Sequence, residues 1–175
     1  MSYLRFRKAH YLPAFLLKIQ GFIYKIFGKA SAVNRIERIS RKCRSYIWAA
    51  CEEATEEIYN ALDMAFHAEY LKKAAENSDE EELNRLRYNI LAQEAERRSH
   101  LIVKQTADSI RLFSEEMMCK ARLAANAFAE GFNFRAKPES KMSLEKVDFG
   151  ESEIPKILNI ILDFSYPPTD IGKEK

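Results

Sequence analysis

The sequence predicts an all-α protein built on two long helices, and three observations support that prediction. Only five glycines and five prolines are present, and four of those prolines lie at or beyond Pro138, so helix breakers are scarce before that point. Apolar residues make up 47 % of the chain and charged residues 31 %, which suits helices with one buried and one solvated face. Apolar residues also recur every eleven positions. We therefore expect an elongated helical hairpin or coiled-coil-like rod, with a short amphipathic helix before it and a small helix after it.

The eleven-residue repeat runs through both long segments. It corresponds to about 3.67 residues per turn, slightly more than the roughly 3.6 of a relaxed α-helix, and is typical of helices that pack in a nearly straight or right-handed supercoil. The alanine-rich stripe of residues 36–65 complements the bulkier stripe of residues 90–123, within one chain or between two chains. The predicted seam interface consists of Ile36, Ile47, Ile58, Ile90, Leu101, Leu112 and Leu123.

These helices divide the chain into three predicted segments. Residues 1–30 form a basic amphipathic segment, and residues 31–131 form the long-helix pair, which breaks near Asn77 and ends where Gly131 follows Glu130. Ser78 is a good helix N-cap for the second member of the pair. Residues 132–175 are expected to form a loop, a short apolar helix over 154–164 and a polar tail.

The N-terminal segment predicts an amphipathic helix from Pro13 to a stop near Gly28. The first 29 residues contain six lysines and arginines but no carboxylate, and Glu37 is the first acidic residue. Such a helix can pack on its own chain, bind an apolar groove of a partner or lie among anionic lipid headgroups, and all three remain open. The predicted partner or membrane contacts are Phe15, Leu16, Lys18, Ile19, Phe22, Ile23, Lys25 and Ile26.

The sequence contains no recognisable catalytic motif. It has no glycine-rich phosphate loop, no nucleophile elbow and no paired-histidine zinc motif. Met64 and Arg97 stand three positions before His67 and His100, so the Glu-x-x-His steps of a di-iron bundle are missing. Three scattered cysteines favour small buried side chains in a reducing compartment over a disulfide framework or a zinc site. We expect no enzyme activity, catalytic residue, cofactor or metal.

The expected partners follow from charge and apolarity. A basic cluster at residues 35–44 precedes Tyr46 and Trp48, but no helix-turn-helix or RNA-binding signature accompanies it, so nucleic acid is disfavoured. No apolar run reaches the roughly 18 residues of a spanning helix. The expectation is a cytoplasmic adaptor or scaffold that binds protein partners in a homo-oligomer or hetero-complex. Peripheral attachment to a membrane surface is the alternative.

One family resemblance rests on specific residues. The run at 33–39, the alanines and glutamates between 49 and 61, and the aromatic ending at 65–70 resemble the stalk of the type III secretion stator family, whose relatives include the flagellar export ATPase regulator. The segment 127–132 is similar to that ending as well. The resemblance covers about a third of the chain. It implies a dimeric cytoplasmic linker between a sorting platform and an export ATPase.

Overall fold

The computed structural model describes residues 6–77, 82–152 and 154. It contains three α-helices, Ala14–Phe27 (α1), Lys29–Asn77 (α2) and Glu82–Asn133 (α3), and a short 3-10 helix at Pro138–Ser140. No strand occurs in these described ranges, and the all-α prediction is confirmed. Ser78 and, beyond Ile154, the predicted C-terminal helix and tail lie outside the described residues.

Helix α1 has the predicted limits, whereas α2 begins earlier than the predicted second helix. Pro13 precedes the first turn with φ −53°, and Gly28 ends α1 with φ +85°, a conformation that glycine adopts without a Cβ penalty. This single residue separates the two helices, since α2 starts at Lys29. The N–H of Ala32 already donates to the Gly28 carbonyl at 3.3 Å.

The end of α3 differs from the prediction for a packing reason. We expected Gly131 to follow the last helical residue, but the helix continues to Asn133. A Cβ on Gly131 would lie 1.9 Å from the carbonyl oxygen of Lys18, and a Cβ on Gly21 would lie 2.0 Å from that of Phe128. Both glycines therefore permit α1 and α3 to cross backbone to backbone, and Gly131 is not a helix cap.

The described residues form two compact units. The two-helix unit comprises residues 51–77 of α2 and 82–110 of α3. Its helices are antiparallel: the Ser99 hydroxyl donates to the Ala61 carbonyl at 2.6 Å, and Lys72 pairs with Glu96 at 2.7 Å. This part of the chain therefore folds back on itself, as in the hairpin alternative.

The mixed unit comprises residues 6–50, 111–152 and 154. Its core contains large side chains from several segments, including Phe128, Ile47 and Met117. The loop after α3 is tied down by Asn133, whose side chain accepts from the N–H of Met142 at 2.7 Å and donates to its carbonyl at 2.9 Å. The predicted loop is therefore present, and it buries Phe149, which is 3 % exposed.

The buried positions of the long helices repeat every seven residues. In α2 the fully consistent line is Ser40, Ile47, Ala54, Ala61, Ala68 and Ala75, and in α3 two such lines are Ser99, Thr106 and Phe113, and Val103, Ile110 and Met117. Seven residues per two turns is the spacing of left-handed coiled-coil packing. Buried residues also recur at eleven-residue spacing, as with Ile39, Ala50 and Ala61 in α2 and with Ser99, Ile110, Ala121 and Phe132 in α3, so both periods are present among the buried positions.

The predicted seam residues divide into a buried set on α2 and an exposed set on α3. Ile36 and Ile47 are buried and Ile58 is half-buried. The four predicted seam residues of α3 do not pack against α2 but are exposed, namely Ile90 (57 %), Leu101 (40 %), Leu112 (60 %) and Leu123 (64 %). Nine residues after each of them lies a buried one, such as Ile110 after Leu101. Nine residues at about 100° each amount to two and a half turns, which is a net rotation of half a turn, so the predicted stripe lies on the side of α3 opposite these buried residues.

Candidate docking surfaces

Helix α1 presents apolar side chains away from the rest of the mixed unit. Leu17 and Gly21 are buried on its inner side. The outer side carries the six predicted apolar contacts and Phe27, all exposed: Phe15, Leu16, Ile19, Phe22, Ile23, Ile26 and Phe27. The most exposed is Ile26, at 83 %. Of the three alternatives, packing of this face on its own chain is therefore not observed among the described residues. We call these seven residues the α1 face.

Three contacts besides the glycine crossing hold α1 in this orientation. The rings of Tyr24 and Phe128 meet edge to face with centroids 5.3 Å apart. Lys18, which is exposed, pairs with Glu130 at 2.7 Å, and Lys25, which is half-buried, donates to the carbonyl of Phe134. The two predicted lysine contacts thus fasten one edge of α1 to the end of α3.

The α1 face continues onto the loop after α3. Phe134 is 55 % exposed, and its ring lies 6.3 Å from that of Phe22. The Arg135 guanidinium stands 5.2 Å from the Phe134 ring centroid, a cation–π geometry. The apolar surface therefore has a cationic border on this side.

A basic cleft opens beside α1. It has a volume of about 320 Å³ and is lined by Tyr24, Phe27, Ser31, Asn34, Arg35 and Arg38. The last four residues have the i, i+3, i+4, i+7 spacing of one helix face. The predicted basic cluster combined Arg35 and Arg38 with Arg41 and Arg44. The i, i+3, i+4, i+7 spacing is the sequence signal that could have separated the two pairs. We call this the Arg35 cleft.

Arg35 is incompletely satisfied in this cleft. Its Nη2 donates to Gln20 Oε1 at 3.3 Å, whereas its buried Nε has no hydrogen-bond partner among the described residues. A buried donor without a partner costs on the order of 1–3 kcal/mol. An acceptor placed in the Arg35 cleft would remove that cost.

A second cleft of the mixed unit is lined by residues of both charge signs. It measures about 410 Å³ and includes Arg41, Arg44, Lys146 and Asp148 in its lining. The pKa of Asp148 is lowered, first by its hydrogen bond with the Glu151 side chain and then by that of the Ser152 hydroxyl, at 2.7 Å. The Ser40 hydroxyl also donates to the Asp148 carbonyl at 2.5 Å. The Ser40 hydrogen bond joins the loop to α2 and the Asp148 side chain holds the loop together, so this cleft has a structural explanation.

The two-helix unit exposes an apolar stripe on each helix. The α2 stripe consists of Tyr59, Phe66 and Tyr70, and the α3 stripe of Leu83, Leu86, Ile90 and Leu101. Tyr59 and Phe66 each lie nine residues before a buried alanine, Ala68 and Ala75 respectively. Both stripes therefore face away from the alanine seam between the helices.

The described residues contain no arrangement typical of catalysis. No group of three or more His, Cys, Asp and Glu residues suited to a metal occurs in them. Burial raises the pKa of the Cys43 and Cys51 thiols to about 11, which keeps both protonated near neutral pH. His67 and His100 are exposed.

Comparison of the chain with protein-family models, with curated proteins and with solved structures finds no match in any of the three. Within the described ranges, none of the helices combines the length and apolarity required to cross a bilayer. The physical properties of the docking surfaces therefore carry the functional argument.

Proposed function

We propose that the protein is a non-enzymatic helical adaptor that self-associates through the two-helix unit. The observation that carries this proposal is the pair of exposed apolar stripes opposite the alanine seam. A helix that is apolar on two opposite sides normally has both sides covered. Here α2 and α3 cover only one side of each other.

The charges beside the two stripes favour a second copy of the chain as the cover. The α2 stripe is accompanied mainly by exposed carboxylates, Glu52, Glu56 and Asp63, with Lys73 beside Tyr70, whereas the α3 stripe has Arg87 and Lys104 exposed beside it as well as Glu82. An acidic aromatic surface and a basic aliphatic surface are complementary in sign and shape class. Two copies that place the α2 stripe of one on the α3 stripe of the other satisfy both surfaces at once, as an isologous dimer does.

The resemblance to secretion stators gives this proposal a particular form. A self-associated helical stalk agrees with a dimeric cytoplasmic linker of a secretion apparatus, in which case a sorting platform and an export ATPase would be its further partners. Reconstitution with a purified export ATPase of that apparatus tests this form separately from self-association.

Light scattering coupled to gel filtration tests the self-association of the full chain. We expect a mass of at least two chains for the wild type. Ile90→Asp with Leu101→Asp should weaken association at least tenfold, because two carboxylates would enter an apolar interface. Ser45→Asp with Asn126→Asp adds the same charge at exposed polar positions of the mixed unit and should not. A wild type that remains monomeric at high concentration, or equal masses for the two double variants, would refute the proposal.

A further inference from the structure

We propose that the α1 face lies on an anionic phospholipid membrane and that the Arg35 cleft receives a phosphate of a lipid headgroup. This inference concerns the mixed unit and goes beyond the self-association assigned to the two-helix unit. Four features of the described residues support it. They are the apolar outer side of α1, the charge around α1, the position of the cleft and the donors inside the cleft.

The outer side of α1 suits a hydrocarbon boundary. Its seven members are large aliphatic or phenyl side chains without a polar atom. Gln20, which lies at the edge of this face and is half-buried, has its amide oxygen bonded to Arg35. A surface without polar side chains needs no matching hydrogen-bond partner, which is the condition at the boundary between headgroups and acyl chains.

The charge around α1 complements an anionic bilayer. No carboxylate occurs before Glu37, and Glu130, which lies beside α1, is paired with Lys18 at 2.7 Å. Lys25 and Arg135 border the face at Phe134. Basic residues beside an apolar helix face are attracted to the negative surface potential of anionic lipids.

The Arg35 cleft opens where a headgroup would lie. Phe27 belongs to both surfaces, since it is 64 % exposed on the α1 face and lines the cleft. When an amphipathic helix lies in the interface, its apolar side chains reach the acyl boundary and its flanks stay at headgroup level. The cleft is therefore placed at the level of lipid phosphates.

The donors of the cleft match a phosphate. Arg35 has a buried Nε without a partner among the described residues, and Arg38 is exposed beside it. Guanidinium groups bind phosphate oxygens through two parallel N–H donors, which an ammonium group cannot reproduce. The volume of about 320 Å³ lies at the lower end of the roughly 300–1,000 Å³ range of small-ligand pockets.

Vesicle co-sedimentation of the full chain tests the proposal. The probes are vesicles of phosphatidylcholine alone and of phosphatidylcholine mixed with phosphatidylserine. We expect the wild type to bind the mixed vesicles more tightly. Phe22→Ser with Ile26→Ser should abolish binding to both, because the apolar insertion is lost. Circular dichroism checks that every variant keeps its helix content.

Charge variants separate the cleft from general attraction. Arg35→Gln with Arg38→Gln removes both the charge and the paired donors and should weaken binding to the mixed vesicles by more than about 25-fold, since the charge alone contributes about fivefold per basic residue near the surface. Arg35→Lys with Arg38→Lys keeps the charge and should still weaken binding about tenfold, because the paired donors are lost. The control pair, Arg41→Gln with Lys146→Gln, removes the same charge from the second cleft of the mixed unit and should bind within about twofold of the wild type.

Four results would overturn the inference. They are no preference of the wild type for mixed vesicles, wild-type binding by the lysine pair, an equal loss in the control pair, and release of the protein from vesicles by added inorganic phosphate or RNA. The last result would identify a soluble-anion site. Because α1 is absent from the two-helix unit, light scattering on the same variants shows whether self-association persists when lipid binding fails.

Discussion

The two units of this protein build their cores from different side chains. Six of the ten buried apolar residues described in the two-helix unit are alanines, spread over both helices. The mixed unit instead buries Phe128, Met117, Phe113 and Phe149, and the rings of Phe6 and Phe113 pack at a tilt with centroids 5.0 Å apart. Alanine allows two helices to approach closely but removes little apolar area from water. Because buried apolar area stabilises the fold by roughly 25 cal/mol per Å², each alanine contributes little.

This difference explains where each unit leaves apolar surface exposed. In the two-helix unit most buried residues are small and many large ones, such as Phe66 and Ile90, face outward, so stability is expected to depend on what covers the stripes. In the mixed unit large residues occupy the core, and the exposed apolar residues of α1 are additional to it. We therefore interpret the stripes as surfaces that a second chain covers to complete the core of the two-helix unit. We interpret the α1 face as a separate binding surface.

The largest expected effect comes from a matched phenylalanine truncation. Phe128→Ala removes a side chain that is 0 % exposed in the mixed unit and should lower the free energy of unfolding by about 3–5 kcal/mol. Phe66→Ala removes one that is 69 % exposed in the two-helix unit and should change it by no more than about 0.5 kcal/mol in the monomer. Urea unfolding followed by circular dichroism, at a concentration below self-association, measures both.

A large loss in Phe66→Ala under these conditions would mean that the α2 stripe packs within one chain. The contrast between the units would then be wrong. Repeating the Phe66→Ala measurement at high protein concentration gives the matching check. There we expect an additional loss, because the stripe is covered in the dimer.

The sequence was sufficient to predict the all-α class and the helix limits around Pro13, Gly28 and Asn77, because each depends on local chemistry. Six of the seven residues of the α1 face could also be predicted from the sequence. The packing side of α3 could not. Leu101 and Ile110 lie half a turn apart, both are apolar, and only the tertiary structure shows that Ile110 is buried and Leu101 is not.

Glycine and arginine positions taught the same lesson. Gly131 satisfied the rule for a helix end, yet its role is to let the Lys18 backbone pass. That contact joins residues more than a hundred positions apart, so no local pattern contains it. Likewise, the division of the basic cluster into two clefts depends on α1 and on the loop that holds Asp148, which pack against different sides of α2.

The second expected effect distinguishes the seven-residue seam from the eleven-residue stripe. Ala68 is 2 % exposed in the two-helix unit, so Ala68→Leu should overfill the close contact and lower the free energy of unfolding by about 1–3 kcal/mol. Ile90→Ala lies on the eleven-residue stripe and should leave the monomer within about 0.5 kcal/mol of the wild type, since alanine also has the higher helix propensity. Thermal unfolding of both variants measures the two losses. A larger loss in Ile90→Ala than in Ala68→Leu would show that the predicted eleven-residue stripe packs within the chain.

The smallest expected effect concerns the ion pairs that join distant segments in each unit. Lys72 and Glu96 link the two helices of the two-helix unit at 2.7 Å, with both side chains 46 % exposed. The pKa of Glu96 is lowered, mainly by the hydrogen bond from Lys72. In the mixed unit the pKa of Glu116 is lowered first by Lys120 and then by Lys8. Lys72 is thus the main cause of the lowered pKa of Glu96, whereas Lys8 is the second cause at Glu116, after Lys120.

The sign of the pH dependence follows from the lowered carboxyl pKa values. Each carboxylate contributes stability that is fully present above its ordinary pKa of 4.5 and is lost as the pH falls through the lowered pKa of the folded state. Near neutral pH, Lys72→Gln should cost about 0.2–1 kcal/mol, the range of exposed pairs. Lys8→Gln should cost less, because Lys120 still holds Glu116 at 2.6 Å.

Urea unfolding at about pH 7 and about pH 3 separates these contributions, since the carboxylates are mostly charged at the first pH and increasingly protonated at the second. We expect the deficit of Lys72→Gln to shrink on acidification and to be screened by salt. An unchanged deficit at low pH would show that the Lys72 side chain stabilises the two-helix unit through packing of its methylene groups. In that case the alanine seam would have apolar cover from within the chain, and the contrast with the mixed unit would be smaller than the buried residues indicate.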